Sequence, residues 1–180
     1  MKRTSLFSCL LLATSLNLAS AAEPPAKAPA KPAKEASATA EYEGKTYTFE
    51  SEAARDKWLE ERKASLYHRL GGKAAINAAV DKFYVKVLAD KRINHFFEDV
   101  SMRKQHNQQK AFLSAAFGGP EPWTGKNMRD AHKNLDLEEE HFGAVAEHLQ
   151  ATLVELKVPE ELIKEVMTIA ASTHDDVLNK

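Results

Sequence analysis

An all-α domain preceded by a short β-hairpin plus helix is the fold class that this 180-residue sequence predicts. Three observations carry that expectation. Four segments repeat apolar residues at the helical period of 3.6. No alternating strand pattern follows Phe49. The seven glycines leave long runs without any glycine, which suits uninterrupted helices. The length fits one domain with tails. Lys plus Arg total 25 and Asp plus Glu total 26, so the formal net charge is -1. That near-neutral balance gives no reason to expect a nucleic-acid partner. The single cysteine excludes an intramolecular disulfide, a cysteine-rich zinc site and a C-x-x-C-H attachment motif.

The chain divides into four segments. Residues 1-21 read as a signal peptide: Lys2 and Arg3 are followed by an apolar run from Leu6 to Leu18, and Ala19-Ser20-Ala21 offers a small-x-small cleavage site. An uncleaved membrane anchor is the alternative, and the run is short and interrupted for one. Cleavage would remove Cys9 and place a mature chain without a transmembrane helix in the periplasm. Residues 22-40 hold four of the seven prolines, with alanines and lysines, and read as an extended tether. Residues 41-63 form a small hairpin-helix element. Aromatic and polar residues alternate around Gly44, and Ser51 can cap a helix carrying Trp58 and Leu59. This stretch resembles the hairpin plus helix of YHS-type modules, but their metal-binding cysteines are absent. The other reading is a docking flap for the main domain, residues 64-180.

Four helices follow from the pattern of the main domain. The first spans Lys73 to Ala89, with Ile76, Val80, Phe83, Tyr84, Val87 and Leu88 on one stripe and Gly71-Gly72 at its entry. The second spans Met102 to Phe117, capped by Ser101 and stopped by Gly118-Gly119-Pro120. The third begins near Leu137, with Asp136 as cap and Glu139 at capping-box spacing. Its stripe is Phe142, Val145, Ala146, Leu149, Leu153 and Leu156. Pro159 opens the fourth at a first-turn position, and that helix carries Leu162, Ile163, Val166, Met167 and Ala170. A short helical turn is expected from Asn127 to Lys133.

The second helix holds an anomaly. Its inward stripe is Met102, Gln105, Gln109, Phe112, Leu113 and Ala116, so two glutamines fall on an apolar face. A buried amide without partners costs about 1–3 kcal/mol. Tyr84, inward on the preceding helix, needs a partner for its hydroxyl as well. One arrangement satisfies all three: Tyr84, Gln105 and Gln109 share a cavity and point at one ligand. The other is a helix rotated so that both glutamines face solvent. The seven histidines show no H-E-x-x-H or other paired metal-ligand spacing. His141 and His148 flank the third stripe, and His106, next to Gln105, is expected to point away from the pocket. His132 follows Met128 and Ala131 on the short turn, where it is either structural or a ligand.

Several motifs carry a resemblance. Leu66-Tyr67-His68-Arg69-Leu70-Gly71-Gly72, Asp81-Lys82-Phe83-Tyr84, Val87-Leu88-Ala89-Asp90 and Phe96-Phe97 come first. Ala111-Phe112-Leu113, Met128-Arg129-Asp130-Ala131-His132, Glu140-His141-Phe142 and Val158-Pro159-Glu160-Glu161-Leu162 follow. In order and spacing they resemble the truncated haemoglobins, group I, over roughly residues 65 to 177. The resemblance implies a two-over-two helical sandwich around haem b, and with Cys9 removed no thioether bond can form, so the haem is expected to be held non-covalently. It makes His132 the proximal iron ligand, Tyr84 the distal tyrosine, and Gln105 and Gln109 the two distal glutamines. Phe97 matches the phenylalanine on the haem face, and Phe112, Met128, Phe142 and Val145 match haem-wall positions. The loop after the proximal histidine departs from some relatives, with Lys133-Asn134-Leu135 where they have glycines. Relatives with a histidine three places after the first distal glutamine ligate iron from both sides; here that place is Gln108. Some cyanobacterial relatives link a haem vinyl to a histidine near the chain end. His174 lies in that region with a different spacing.

The implied function is reversible binding of dioxygen, and of nitric oxide. The alternative is a nitric-oxide dioxygenase or peroxidase-like enzyme. Turnover would need a separate electron donor, because no flavin or nicotinamide motif is present. A haem-free interaction module that only keeps the fold is the third class, and the retained His132, Phe97 and distal trio speak against it.

Overall fold

The computed structural model describes residues 37–180, so the expected signal segment and most of the tether lie outside the described residues. The first elements are two antiparallel strands, β1 (Ala38–Tyr42) and β2 (Lys45–Phe49), with Ala38 opposite Phe49 and Tyr42 opposite Lys45. Glu43 and Gly44 form the two-residue turn, both at positive φ (51° and 76°), the conformation whose twist matches paired strands. The hairpin begins inside the segment expected to be tether. The reason is packing: the small side chains of Ala38 and Ala40 are buried. Helix α1 (Glu52–Ala64) follows, and the Ser51 hydroxyl accepts from the Ala54 N–H at 3.2 Å, as expected of its cap. Tyr42, Tyr47 and Phe49 surround the Trp58 ring at centroid distances of 5.6, 4.8 and 5.4 Å.

The main domain continues with α2 (Leu66–Arg69), α3 (Gly72–Ala89), a 3-10 turn (Asn94–Phe97), α4 (Met102–Ala116), α5 (Met128–His132), α6 (Glu139–Glu155), α7 (Glu160–Ala171) and α8 (His174–Val177). Helix α3 packs against both α4 and α6, α6 against α7, and α5 against α8. The core lies where these faces meet, around Ile76, Val80, Val87, Ile93, Leu153 and Val166. Thr152 is buried among them and spends its hydroxyl on the His148 carbonyl at 2.7 Å. Asp90, at the end of α3, accepts from the Arg92 N–H and guanidinium and from His148 Nε2 at 2.7 Å. Those bonds hold its carboxyl far below the usual range and fix α3 to α6.

Several expected details differ. Leu88 is 40 % exposed, whereas its neighbour Val87 on the same turn is fully buried. No residue of α4 is fully buried, and Ala116 is exposed. Ser101 sits at the N-cap of α4 but makes no capping bond. Helix α6 starts later than expected: Asp136 is at φ 46°, a left-handed conformation incompatible with an N-cap, and Glu138 takes that place. The His141 ring Nδ1 accepts from the Glu138 N–H at 3.0 Å. Pro159 is the residue before α7 rather than its first helical residue.

The hairpin and α1 contact the start of α3 and the end of α4, which lie together beside Tyr67. Glu43 Oε1 accepts from the Lys73 N–H at 3.0 Å, and Oε2 accepts from the Tyr67 hydroxyl at 2.6 Å. An anion thus rests on the positive end of α3. Gly72 makes room for it: a Cβ there would lie 2.6 Å from Oε1, at a φ of +65°. Arg62 donates to the carbonyls of Gly118 and Gly119 at 3.1 and 2.7 Å, placing a cation on the negative end of α4. Glu43→Ala leaves the buried Tyr67 hydroxyl without its acceptor. Its expected cost is about 1–3 kcal/mol, read by chemical denaturation of the full chain.

Candidate haem-binding site

Tyr84 is placed by α3 with only 3 % of its surface exposed. Gln105, from the facing side of α4, donates its Nε2 to the Tyr84 hydroxyl oxygen at 3.0 Å. The phenol therefore acts as acceptor, and its own proton has no acceptor among the described residues. Burial pushes the phenol pKa up, and the Gln105 hydrogen bond only partly offsets it, so Tyr84 stays protonated at neutral pH. Phe97 meets the ring edge-on at 5.8 Å, and so does Phe83 at 5.2 Å. The structure thus joins Tyr84, Gln105 and Phe97 in one cluster. Gln109 is half-buried on the same helix and makes no hydrogen bond among the described residues, so the expected shared trio is observed as a pair.

His106 departs from expectation. It does not point away: its ring stacks on Tyr84 at 4.5 Å and 16°. Helical periodicity gives the direction of Gln105 but not how a neighbouring side chain wraps onto the adjacent helix, so no signal in the sequence marked this contact. His141 is engaged in the α6 cap and His148 with Asp90.

The other half of the site is α5. The Asn127 side chain accepts from the Asp130 N–H at 2.7 Å and starts the helix. Arg129 pairs with Asp176 at 3.1 Å and donates to the Lys180 carbonyl at 2.7 Å, which anchors α5 to the chain end. His132 ends the helix, and its Nδ1 lies 2.7 Å from the Met128 carbonyl oxygen. A carbonyl only accepts, so Nδ1 carries the proton and Nε2 presents its lone pair, the tautomer a metal ligand needs. Among the described residues no three His, Cys, Asp or Glu side chains converge on a metal-sized site. A metal at His132 would therefore need donors from outside the protein, such as a porphyrin supplies.

The remaining predicted residues are spread around these two groups. Phe112 packs edge-on against Trp123 at 5.6 Å, and Phe142 against His174 at 4.9 Å. Val145 is 38 % exposed, outside the buried stripe expected of α6. Leu149, Leu153 and Leu156 keep their inward places, Ala144 and Thr152 are also buried, and His148 meets Asp90. An apolar cavity of about 160 Å³ lies between α3, α4, α6 and α7, lined among others by Ile76, Leu113, Leu149 and Val166. None of the predicted site residues lines it, so it is not the cavity inferred for Tyr84.

Comparison with known proteins bears on this arrangement. The family model described as bacterial-like globin matches residues 65–179. The chain is 55 % identical over 123 residues to the group 1 truncated hemoglobin GlbN of Synechocystis sp., covering 65 % of this chain and 99 % of that protein. It is 44 % identical over 119 residues to the group 1 truncated hemoglobin of Tetrahymena thermophila, covering 66 % and 98 %. The crystal structure of the 2/2 hemoglobin from Synechococcus sp. PCC 7002, in the cyanomet state and with covalently attached heme, superposes with a TM-score of 0.63. It is 50 % identical and covers 65 % of this chain and 100 % of that one. The truncated hemoglobin of Tetrahymena pyriformis in the Fe(III) form gives a TM-score of 0.62 at 46 % identity, covering 64 % and 99 %. The helical arrangement of α2 to α8 is therefore the two-over-two globin fold, and the family model leaves out the hairpin and α1. The chain belongs to the bacterial-like globin family, a family of haem proteins, as a group 1 truncated haemoglobin.

Proposed function

We propose that this chain binds dioxygen reversibly on a non-covalently held haem b, with His132 as the iron ligand. Tyr84, Gln105 and Gln109 form the polar side facing the gas. The observation that carries the reading is the Tyr84–Gln105 hydrogen bond, because it turns the free phenol proton into a fixed donor. When bound, the haem supplies a ferrous iron that takes a diatomic gas. The protein does the rest. Met128 holds the His132 ring in its ligating tautomer. Tyr84 and Gln109 offer hydrogen-bond donors that stabilise a polar diatomic after it has entered, and a bond to its partly charged outer atom contributes about 1.5–3 kcal/mol. Phe97, Phe112, Met128, Phe142 and Val145 supply apolar surface for the porphyrin. Arg103 and Lys104, free of ion pairs among the described residues, line an open cleft and supply positive charge suited to haem carboxylates. The same donors serve nitric oxide, and oxidation of nitric oxide would require an external electron donor after each cycle.

The Synechococcus protein carries its heme covalently. For this chain the non-covalent reading rests on the sequence: with Cys9 removed no thioether bond can form, and His174 is spaced differently from the linking histidine of the cyanobacterial relatives. Acidified butanone is therefore expected to extract all haem. A haem-stained band that survives denaturing electrophoresis and vanishes in His174→Ala would contradict this. Export to the periplasm is supported by the composition of residues 1-21, and among the described residues no helix is long and apolar enough to cross a membrane. Mass spectrometry of the periplasmic fraction should find a chain starting at Ala22; an intact Met1 in membranes contradicts export by cleavage.

The proposed function is tested by the visible spectrum of the purified chain, reduced, exposed to air and then evacuated. Reversible conversion between two ferrous spectra is expected. Immediate oxidation without an oxygenated spectrum would overturn the reading.

A further inference from the structure

We propose that the hairpin and α1 anchor the segment between α4 and α5, and that Arg62, Tyr47 and Lys45 are positioning residues for the helix that carries His132. The functional weight of this inference rests on the reading above, that His132 holds the haem iron. Helix α5 has five residues, too few to hold its own shape, and its main helical neighbour is α8 at the chain end. Its position is therefore set from two sides, by α8 and by residues 117–127, which lead into it. The family model begins at residue 65, so what the hairpin and α1 contribute to that segment is an addition to the globin domain.

The Tyr67 N–H donates to the Phe117 carbonyl at 2.8 Å. Arg62 then holds the carbonyls of Gly118 and of the buried Gly119. Its guanidinium lies 5.4 Å over the Trp58 ring, which Tyr42, Tyr47 and Phe49 surround. Its Nε is buried without a partner among the described residues, a cost that the two carbonyl bonds offset. Glu121 accepts from Lys45 Nζ at 3.0 Å and from the Tyr47 hydroxyl at 2.8 Å. Burial first, then the bond to Glu121, pushes the Tyr47 phenol up to about 12, so it remains a donor at neutral pH. Pro120 and Pro122 flank Glu121 and fix φ on both sides of it, so holding this side chain aims the chain that follows. Trp123 meets Phe112 edge-on, donates Nε1 to the Lys126 carbonyl at 2.8 Å and fills the space that a side chain at Gly125 would need. Asn127 then caps α5. Lys45 and Glu121 are exposed, whereas Arg62 is half-buried and makes two charge-assisted bonds, so Arg62 carries most of the effect. Neither Arg62 nor Glu121 belongs to the buried core, so losing the anchor loosens this segment rather than the fold.

The test compares wild type, Arg62→Met, Arg62→Lys, Glu121→Ala and, as a control in the core of α7, Ile163→Val. Hydrogen exchange of the full-length apoprotein reads residues 120–132, transfer of haem from the holoprotein to excess apomyoglobin reads retention, and chemical denaturation reads global stability. Arg62→Met should exchange faster over residues 120–132 and lose haem about tenfold faster, the effect of removing a pair of charge-assisted bonds. Glu121→Ala should act in the same direction by about threefold. Arg62→Lys keeps a donor and should recover part of the difference. The ferrous iron–histidine stretching band should shift or broaden in Arg62→Met and return toward wild type in Arg62→Lys. Ile163→Val should lower global stability yet leave exchange over residues 120–132 and haem loss as in wild type. Equal acceleration in Ile163→Val would make the effect one of general stability and overturn the anchor. Unchanged exchange and haem loss in both Arg62→Met and Glu121→Ala, with haem uptake normal, overturn it as well and leave the proposed function standing. Failure of the wild-type chain to take up haem overturns the proposed function, while exchange of the apoprotein still decides the anchor.

Discussion

His132→Ala is expected to leave a folded chain that no longer holds haem stably. Alanine offers no donor to iron. Loss of even the hydrogen-bonded support of a ligating histidine weakens a metal by about 10–100-fold, and loss of the ligand itself costs at least that. The fold should survive. His132 is only half-buried, and α5 keeps its Asn127 cap and its Arg129 anchors to Asp176 and the Lys180 carbonyl. Haem content after purification and far-ultraviolet circular dichroism check the two halves of this result. Added imidazole should restore part of the haem spectrum, because the space left by the side chain accepts a free ring. Full haem content and an unchanged carbon monoxide spectrum in the variant would place the iron ligand elsewhere.

Tyr84→Phe has the second large effect. It keeps the ring, its stack on His106 and its edge contact with Phe97, and removes only the hydroxyl. The lost donor acts on a gas already bound, so release should speed up while association changes little. A hydrogen bond to a partly charged acceptor contributes about 1.5–3 kcal/mol, which corresponds to about 10–100-fold in release rate. Gln105→Leu should act in the same direction, because it frees the Tyr84 hydroxyl from the bond that aims it. Stopped-flow displacement of dioxygen by carbon monoxide measures each rate. Unchanged release in both variants would remove these side chains from the site.

The residues legible in the sequence are those whose role depends on one helix and its periodicity. Gln105 stands out because a polar amide on an apolar stripe demands a partner, and Tyr84 supplies it. The Ser51 cap and the limits of α3 and α4 follow from local chemistry in the same way. What depends on the crossing of elements was not legible. Periodicity around α4 aims Gln105 at α3 but says nothing of how His106 folds back onto Tyr84. The seat of Glu43 at the start of α3 needs the hairpin turn, Gly72 and Tyr67 together, across a separation of 30 residues. Val145 lies at a plausible stripe position, yet α6 turns Ala144 and Thr152 to the core instead. The Asp136 cap fails for a backbone reason, its left-handed φ, that composition does not reveal.

The central claim is that His132 alone among the protein's side chains ligates the iron and leaves the opposite side open to gas. Resonance Raman spectroscopy of the ferrous, gas-free protein tests it most directly. The account predicts a five-coordinate haem with one iron–histidine stretching band, shifted by ¹⁵N-histidine labelling and lost in His132→Ala. A six-coordinate ferrous haem, or a band that persists in His132→Ala, would contradict it.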